Sequence, residues 1–284
     1  MPELWYLNGS FVPKEEAKVS VLDRGFLFGD GLYEVVRIYD NEPLALDEHL
    51  DRFFFGVDGI HMPFPHTRDE FKGLIRNMVR ESDLGGASIY WEVTRGEYDP
   101  RTHYITGPMT SPTFFMQTRH ADPQPEGPRR KGVSVPLVQD VRWLKCCYKT
   151  VNLLGNCLAM TKAHDMGAPE AVLYRDKDHV TECSASSFFI VRNGEIWTHP
   201  EADIILSGIT RLLLKRLCAR DGIPFRERVF GVQDVLEADE AFFANSILEV
   251  VPVVAVEGNT IGSGKPGPVT DKIVDLFLRH TGQR

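Results

Sequence analysis

Lys149, in the stretch RWLKCCYKTVNLLGN, is the side chain of this sequence best placed to act as a nucleophile. It follows a strand-like run, VSVPLVQDVRW, precedes a helical one, and has Tyr148, Thr150 and Val151 around it. Such surroundings partly desolvate an amine, which favours the neutral form that attacks a carbonyl. A lysine trailing its apolar stem along the surface fits the same spacing. Glu182, in DHVTECSASSFFIV, enters a strand among small hydroxyl residues. There a carboxylate can hold a cation or a protonated ring nitrogen, and a solvated acid at a strand end is the ordinary alternative. LSGITRLLL sets Ser, Gly and Thr at the start of a helix, whose free N–H groups and positive dipole end favour phosphate. The same residues also serve as plain caps. Arg52, in EHLDRFFF, either reaches inward to such an anion or stays on a solvated helix face. Arg101 and His103, in EYDPRTHYI, stand two apart behind a turn-forming Asp-Pro pair. On extended backbone both point to one side, toward an anion.

Other chemistries find little support. The formal charge of -8 and the pI near 5.6 argue against a nucleic-acid surface, which needs a basic patch. Five cysteines, with Cys146 and Cys147 adjacent, do not form a disulfide framework. The start MPELWYLNGSFVPKEE has neither the basic nor the apolar part of a signal peptide. No stretch approaches the roughly 20 apolar residues of a membrane helix. A reduced, cytoplasmic enzyme or binding protein is expected, with no membrane and no nucleic-acid partner. His164, His179, His199 and His280 lack metal-ligand spacing, so no metal is expected. Ser184, Ser186 and Ser187 lack a nucleophile-elbow context. No Gly-x-Gly-x-x-Gly, P-loop or Cys-x-x-Cys pattern occurs.

The elements that must carry these residues can be read from turn and period signals. LWYLNGSFVP is a hairpin turning at Asn8-Gly9, and GLYEVVRIYDNEPLAL a strand pair turning at Asp40-Asn41. LDEHLDRFFFGVDGI reads as a helix with Asp47 as its N-cap. HTRDEFKGLIRNMVRESDLGG reads as another, with a Thr67/Glu70 capping box and a stop at Gly85-Gly86. Strands ASIYWEVTRG and SPTFFMQTRH follow, and ADPQPEGPRRKG, rich in Pro, Gly and charge, reads as a linker. The expected division is a small domain over 1–120, a linker over 121–131 and a larger domain over 132–284. In the larger domain GVSVPLVQ is a strand and NLLGNCLAMTKAHDMG a helix. EAVLYRD and SSFFIVRNGEIWTHP are strands, the second turning at Asn193-Gly194. SGITRLLLKRLCARDG is a helix; EAFFANS, VVPVVAVEGNTIG and a C-terminal helix, VTDKIVDLFLRHTG, finish the chain. Helices and strands mix without βαβ alternation, so the fold class is α+β.

Taken in order, DRGFLFGDGLYEVVRIY, EHLDRFF, KTVNLLGN, EAVLYRDKDHVTECSASSFFIV, THP and LSGITR resemble the fold type IV pyridoxal-phosphate enzymes, block by block over nearly the whole chain. That family holds branched-chain and D-amino-acid aminotransferases and aminodeoxychorismate lyases. The PRTH block and RWLKCCYKTVNLLGN are most similar to its D-amino-acid branch. The resemblance implies a small N-terminal α/β domain, a larger domain with a β-barrel-like core, and pyridoxal 5'-phosphate as cofactor. It implies Lys149 as the Schiff-base lysine, Glu182 as the acid on the pyridine nitrogen and Arg52 on the phosphate. Ile209 and Thr210 become the helix-start donors to that phosphate, and Leu206 the apolar residue on the ring face. Tyr33, with Arg101 and His103 reaching across from a neighbouring subunit, forms the trap for the substrate carboxylate, so a homodimer is implied. Amino and keto acids are the implied substrates, converted by ping-pong transamination. Two places depart from the family pattern. Ser184-Ala185-Ser186-Ser187 lacks the usual asparagine, and ANSILEV replaces a threonine-rich run, leaving Ser246 as the phosphate-side hydroxyl. A branched-chain L-amino-acid enzyme would place a tyrosine five residues after the lysine, where this chain has Leu154. The lyase, and a binding protein that kept the fold without its chemistry, are the remaining alternatives.

Overall fold

The computed structural model describes residues 3–84, 86–104, 111–122 and 124–284. The chain divides into two units: Met1–Pro123 with Tyr148–Leu153, and Gln124–Cys147 with Leu154–Arg284.

The first unit is one antiparallel sheet under two helices. Its hairpin strands are β1 (Trp5–Leu7) and β2 (Ser10–Phe11). A short helix α1 (Arg24–Phe28) then leads into the long strand β3 (Gly31–Tyr39), which turns into β4 (Glu42–Pro43). Helices α2 (Leu46–Gly59) and α3 (Arg68–Ser82) precede β5 (Ala87–Thr94) and β6 (Thr113–His120). The order across the sheet is β2-β1-β6-β5-β3-β4. Alternation decides which face is covered. Leu32, Val36 and Ile38 of β3 are buried with Ile89, Trp91 and Val93 of β5. Phe53 and Phe71 of the helices pack edge-on against Trp91 or at a tilt to each other. Glu34 shares this apolar face and is fully buried.

The expected Asn8-Gly9 and Asp40-Asn41 turns form, with all four residues at positive φ. The Thr67/Glu70 capping box is also present. Asp47 is not the N-cap of α2. Ala45, in the left-handed region, holds that position, and Asp47 lies in the first turn with its carboxylate on Arg68 and Lys72. Charge complementarity to the neighbouring helix outweighs capping there. Of the Gly85-Gly86 stop, Gly85 lies outside the described residues.

In the second unit, part of the expected linker is a helix, α4 (Glu126–Lys131). It forms because Arg129 is buried on Glu249, a tertiary partner that composition does not reveal. GVSVPLVQ is two strands, β7 (Val133–Val135) and β8 (Leu137–Gln139), in different sheets. Pro136 separates them, lacking the N–H that would continue a ladder. Helix α5 (Leu154–Asp165) is followed by β9 (Val172–Asp176) and β10 (His179–Cys183), which with β8 make a three-stranded sheet. The second sheet begins with β11 (Ser187–Arg192) and β12 (Glu195–Thr198), joined at Asn193-Gly194. Helix α6 (Ile209–Arg220), β13 (Phe225–Glu227) and α7 (Val232–Leu236) come next. Strands β14 (Glu240–Asn245), β15 (Glu249–Val256) and β16 (Asn259–Thr260) precede the last helix, α8 (Pro268–His280). The seven-stranded order is β13-β12-β11-β14-β15-β16, with β7 also paired to β15. The expected barrel-like core is thus two open sheets among the described residues. Among the described residues neither strand order returns to its first strand, so no ladder closes on itself. No helix among the described residues is long and apolar enough to cross a membrane.

Candidate active site

The segment Tyr148–Leu153 belongs to the first unit rather than to the larger domain expected to contain it, and backbone bonds fix it along the start of β3. Tyr33 N–H donates to the Lys149 carbonyl at 3.0 Å, and Val151 N–H to the Gly31 carbonyl at 3.0 Å. Tyr148 packs on Phe55 of α2 at 5.3 Å and lies so close to Gly59 that a Cβ there would sit 2.2 Å from its ring. With backbone pinned on both sides, half-buried Lys149 extends its Nζ over the Tyr33 ring, 4.2 Å from the centroid. A cation over a ring face is favourable, and the ring also removes water from one side of the amine. Tyr33 in turn stacks on Tyr90 at 5.8 Å.

Beside this pair lies a buried charged triad. Arg52 donates to both oxygens of Glu34, at 2.7 and 2.8 Å, and His49 Nδ1 lies 2.8 Å from Glu34 Oε2. Desolvation pushes the Glu34 carboxyl up, but the charges of Arg52 and His49 prevail and hold it well below the usual carboxylate range. Burial pushes the His49 imidazole down, against the opposing pull of Glu34. Arg52 therefore faces inward, and Glu34 sets its planar fork.

Arg101 and His103 share one apolar neighbour. The Arg101 guanidinium lies 4.6 Å from the Phe28 ring centroid and the His103 ring 5.4 Å from it, with both residues otherwise exposed. Arg24 holds the loop backbone: it donates to the carbonyls of Thr102 at 2.7 Å and His103 at 3.1 Å while bonded to Asp30. The expectation that both side chains point one way agrees with this geometry. It arises from a tethered loop, not from a strand. Ile105, at the end of the EYDPRTHYI stretch, lies outside the described residues.

In the second unit Glu182 is buried on β10, not a solvated strand end. Arg142 Nη1 donates to its Oε1 at 2.6 Å, and the Leu206 N–H reaches both oxygens at 3.2 and 3.3 Å. Arg142 also grips Asp140 with two bonds of 2.9 Å. Burial pushes the Glu182 carboxyl up, and Arg142 opposes that rise. A buried acid held between a guanidinium and a main-chain N–H is a fixed acceptor for an N–H brought to it.

Helix α6 supplies the anion-binding feature. Its N-cap is Gly208, with no side-chain cap, and its first residues Ile209 and Thr210 are buried. A buried helix start whose N–H groups have no cap calls for an external acceptor, and a phosphate suits the positive dipole end. Ser246 lies half-buried on the turn between β14 and β15, fixed by Asn245 Oδ1, which accepts from the N–H groups of Ile247 and Leu248. An uncapped helix start, a hydroxyl turn and a buried ring-nitrogen acceptor are the donor and acceptor types that pyridoxal 5'-phosphate needs.

The structure groups Tyr33, Arg52 and Lys149 in the first unit, with Arg101 and His103 around Phe28. It groups Glu182, Leu206, Ile209, Thr210 and Ser246 in the second. Sequence reasoning missed Glu34, His49, Arg142 and Arg24. His49 and Arg52 are three apart on one face of α2, and Glu34 interrupts an alternating apolar strand, a signal that could have paired them. Arg142 carried no such signal.

The model of the family described as amino-transferase class IV matches residues 31–256. A D-alanine aminotransferase of Listeria monocytogenes serotype 4b (strain F2365) is 38% identical over 277 residues, covering 98% of this chain and 96% of that protein. One from Staphylococcus haemolyticus is 36% identical over 279 residues, covering 98% of each. Among solved structures, a branched-chain amino acid aminotransferase from T.th. with pyridoxamine 5'-phosphate superposes with a TM-score of 0.91 at 27% identity, over 99% of this chain and 95% of that one. The branched-chain aminotransferase of Thermoproteus uzoniensis with norvaline gives 0.88 at 26% identity, over 98% and 94%.

Proposed function

The chain belongs to the class IV aminotransferases, and we propose that it moves the amino group of a D-amino acid of the alanine or glutamate type to a 2-oxo acid such as 2-oxoglutarate or pyruvate. The support is the full-length similarity to D-alanine aminotransferases at 36% to 38% identity, above the 26% to 27% of the branched-chain structures.

The cofactor of the family is pyridoxal 5'-phosphate, which when bound supplies an electron sink that stabilises a carbanion at the substrate's α-carbon. Lys149 would hold it through its Nζ, and once free that amine would take the proton from the substrate Cα as a base and deliver it as an acid within the same half-reaction, the acceptor then reversing the steps. Stacking over Tyr33 orients that amine. Glu182 would accept from the protonated pyridine nitrogen, and Arg142 aims its carboxylate and opposes the rise that burial causes. By the family resemblance, Arg52 of the first unit and, from the second, the N–H groups of Ile209 and Thr210 and the Ser246 hydroxyl would hold the phosphate, and Leu206 would pack on the ring. Tyr33, Arg101 and His103 grip the substrate carboxylate and so decide which face of Cα meets Lys149.

Arg101 and His103 act on the site of a second copy of this chain, in a homodimer. Their exposure, on a loop that Arg24 holds in place, supports that role. The enzyme works in the cytoplasm; its five cysteines form no disulfide, which suits a reducing compartment. A half-reaction tests the substrate: D-alanine is expected to bleach the visible absorbance of the bound cofactor faster than L-leucine. Bleaching by L-leucine alone would move the enzyme to the branched-chain group.

A further inference from the structure

Glu170 stands between α5 and β9, is completely buried, and has no part in the chemistry described above. Its neighbours are all hydrogen-bond donors. Oε1 accepts from the N–H groups of Ala171 at 2.9 Å and Ser184 at 3.0 Å, and from the Ser184 hydroxyl. Oε2 accepts from the Ala185 N–H at 3.1 Å and the Ser186 hydroxyl at 2.6 Å. Five donors converge on two oxygens, so the carboxyl group serves here purely as an acceptor.

The loop so held, Cys183 to Ser187, touches each cofactor-binding element of its unit. At its start it continues directly from Glu182. At its end Ser187 meets the head of α6, where a Cβ on Gly208 would lie 2.5 Å from the Ser187 Oγ. In between, the Ser186 hydroxyl accepts from Asn245 Nδ2 at 2.8 Å, and Asn245 organises the turn that carries Ser246. Both departures from the family pattern, the serine-rich loop and ANSILEV, thereby become the two ends of one hydrogen bond.

Resting on the function proposed above, we propose that Glu170 is a positioning residue. Through the 183–187 loop it sets the spacing between the ring-nitrogen acceptor, the helix-start donors and the Ser246 turn, and so tunes the fit of the cofactor's phosphate end. In Glu170→Gln the amide NH2 must face a donor whichever way it is turned, because main-chain N–H groups point at both oxygen positions. The loop must shift to escape that clash, and it carries Ser186 and Asn245 with it.

The test is binding of two probes, pyridoxal 5'-phosphate and phosphate-free pyridoxal, by titration of the folded apoprotein. The wild type is expected to prefer the phosphorylated form strongly. Glu170→Gln is expected to weaken that form about 10- to 100-fold, the range that loss of outer-shell partners costs a bound metal. Its affinity for pyridoxal should change less, so the preference ratio drops. Ser186→Ala, which removes both the donor to Glu170 Oε2 and the acceptor for Asn245 Nδ2, should lower the ratio without disturbing Glu182. If Glu170→Gln fails to fold, Ser186→Ala decides. An unchanged ratio in the folded variant, even with lowered stability, overturns the positioning role. A wild type that binds neither probe would instead overturn the cofactor assignment on which it rests.

Discussion

Replacing Arg142 by Met tests the electrostatics of Glu182 directly. Arg142 is the cation bonded to Glu182, with side chains only 6% and 8% exposed, whereas Asp140 also keeps Arg175 at 3.3 Å and Thr181 at 2.9 Å. With charge centres roughly 4 Å apart and an effective dielectric near 20, the lost attraction is about 4 kcal/mol. Losing it lifts the Glu182 carboxyl further in the direction in which burial already pushes it. The acid of the variant therefore stays protonated to a higher pH than that of the wild type. While protonated it no longer holds a proton on a ring nitrogen. The acid limb of the pH–rate profile should move to higher pH, with turnover recovering as pH rises. Stability carries a second signature, since stranding a buried carboxylate costs about 3–5 kcal/mol. The folded-state acid of the variant titrates above its unfolded value, so protonation favours the folded form. The loss relative to wild type should therefore be small in acid and grow as pH rises above the already raised range in which the wild-type acid titrates. Denaturant titrations at acid and neutral pH, beside the rate profile, measure both. An acid limb in the wild-type position with a pH-independent stability loss would refute the assignment of Arg142 and Glu182.

Three further outcomes are expected. Lys149→Ala should abolish transamination while retaining part of the affinity for pyridoxal 5'-phosphate; full turnover would remove Lys149 from its role. Arg101→Ala should raise the KM for D-alanine by roughly 10- to 100-fold, the worth of a charged hydrogen bond. It should leave cofactor affinity unchanged, and wild-type kinetics would sink the carboxylate trap. Burial lowers the imidazoles of His49 and His199, so the unfolded chain takes up those protons first. Stability should accordingly fall as pH drops through about 6.5, the ordinary histidine value. His49→Gln should flatten that slope in urea melts, and an unaltered slope would show that His49 does not contribute.

Local signals made much of the fold legible. Asn-Gly and Asp-Asn turns and the Thr67/Glu70 box depend on residues within a turn of one another, and each appears where the sequence puts it. The elements misread are those a distant partner decides. Helix α4 exists because Arg129 meets Glu249, 120 residues on, and α2 is capped by Ala45 because Asp47 is drawn to Arg68 and Lys72. The break at Pro136 was visible as a proline, but not that it moves the chain from one sheet to another.

The candidate site divides along the same line. Lys149, Glu182, Arg52, Arg101 and His103 stood out because their types suit a reaction. The residues that orient them did not, because Arg142 is separated from Glu182 by 40 positions and Arg24 from Thr102 by 78. A charged group that must be buried needs a partner chosen by the fold, and burial also gives that partner its effect. In water Arg142 and Glu182 would attract weakly; in the interior the same contact decides whether the acid is charged. Glu34 beneath Arg52 and Glu170 beneath the serine loop follow this rule, each a buried acid whose donors come from elsewhere in the fold. A search for such acids, placed in apolar strands or beside runs of small hydroxyl residues, would have found the supports of the site as well as its reactive groups.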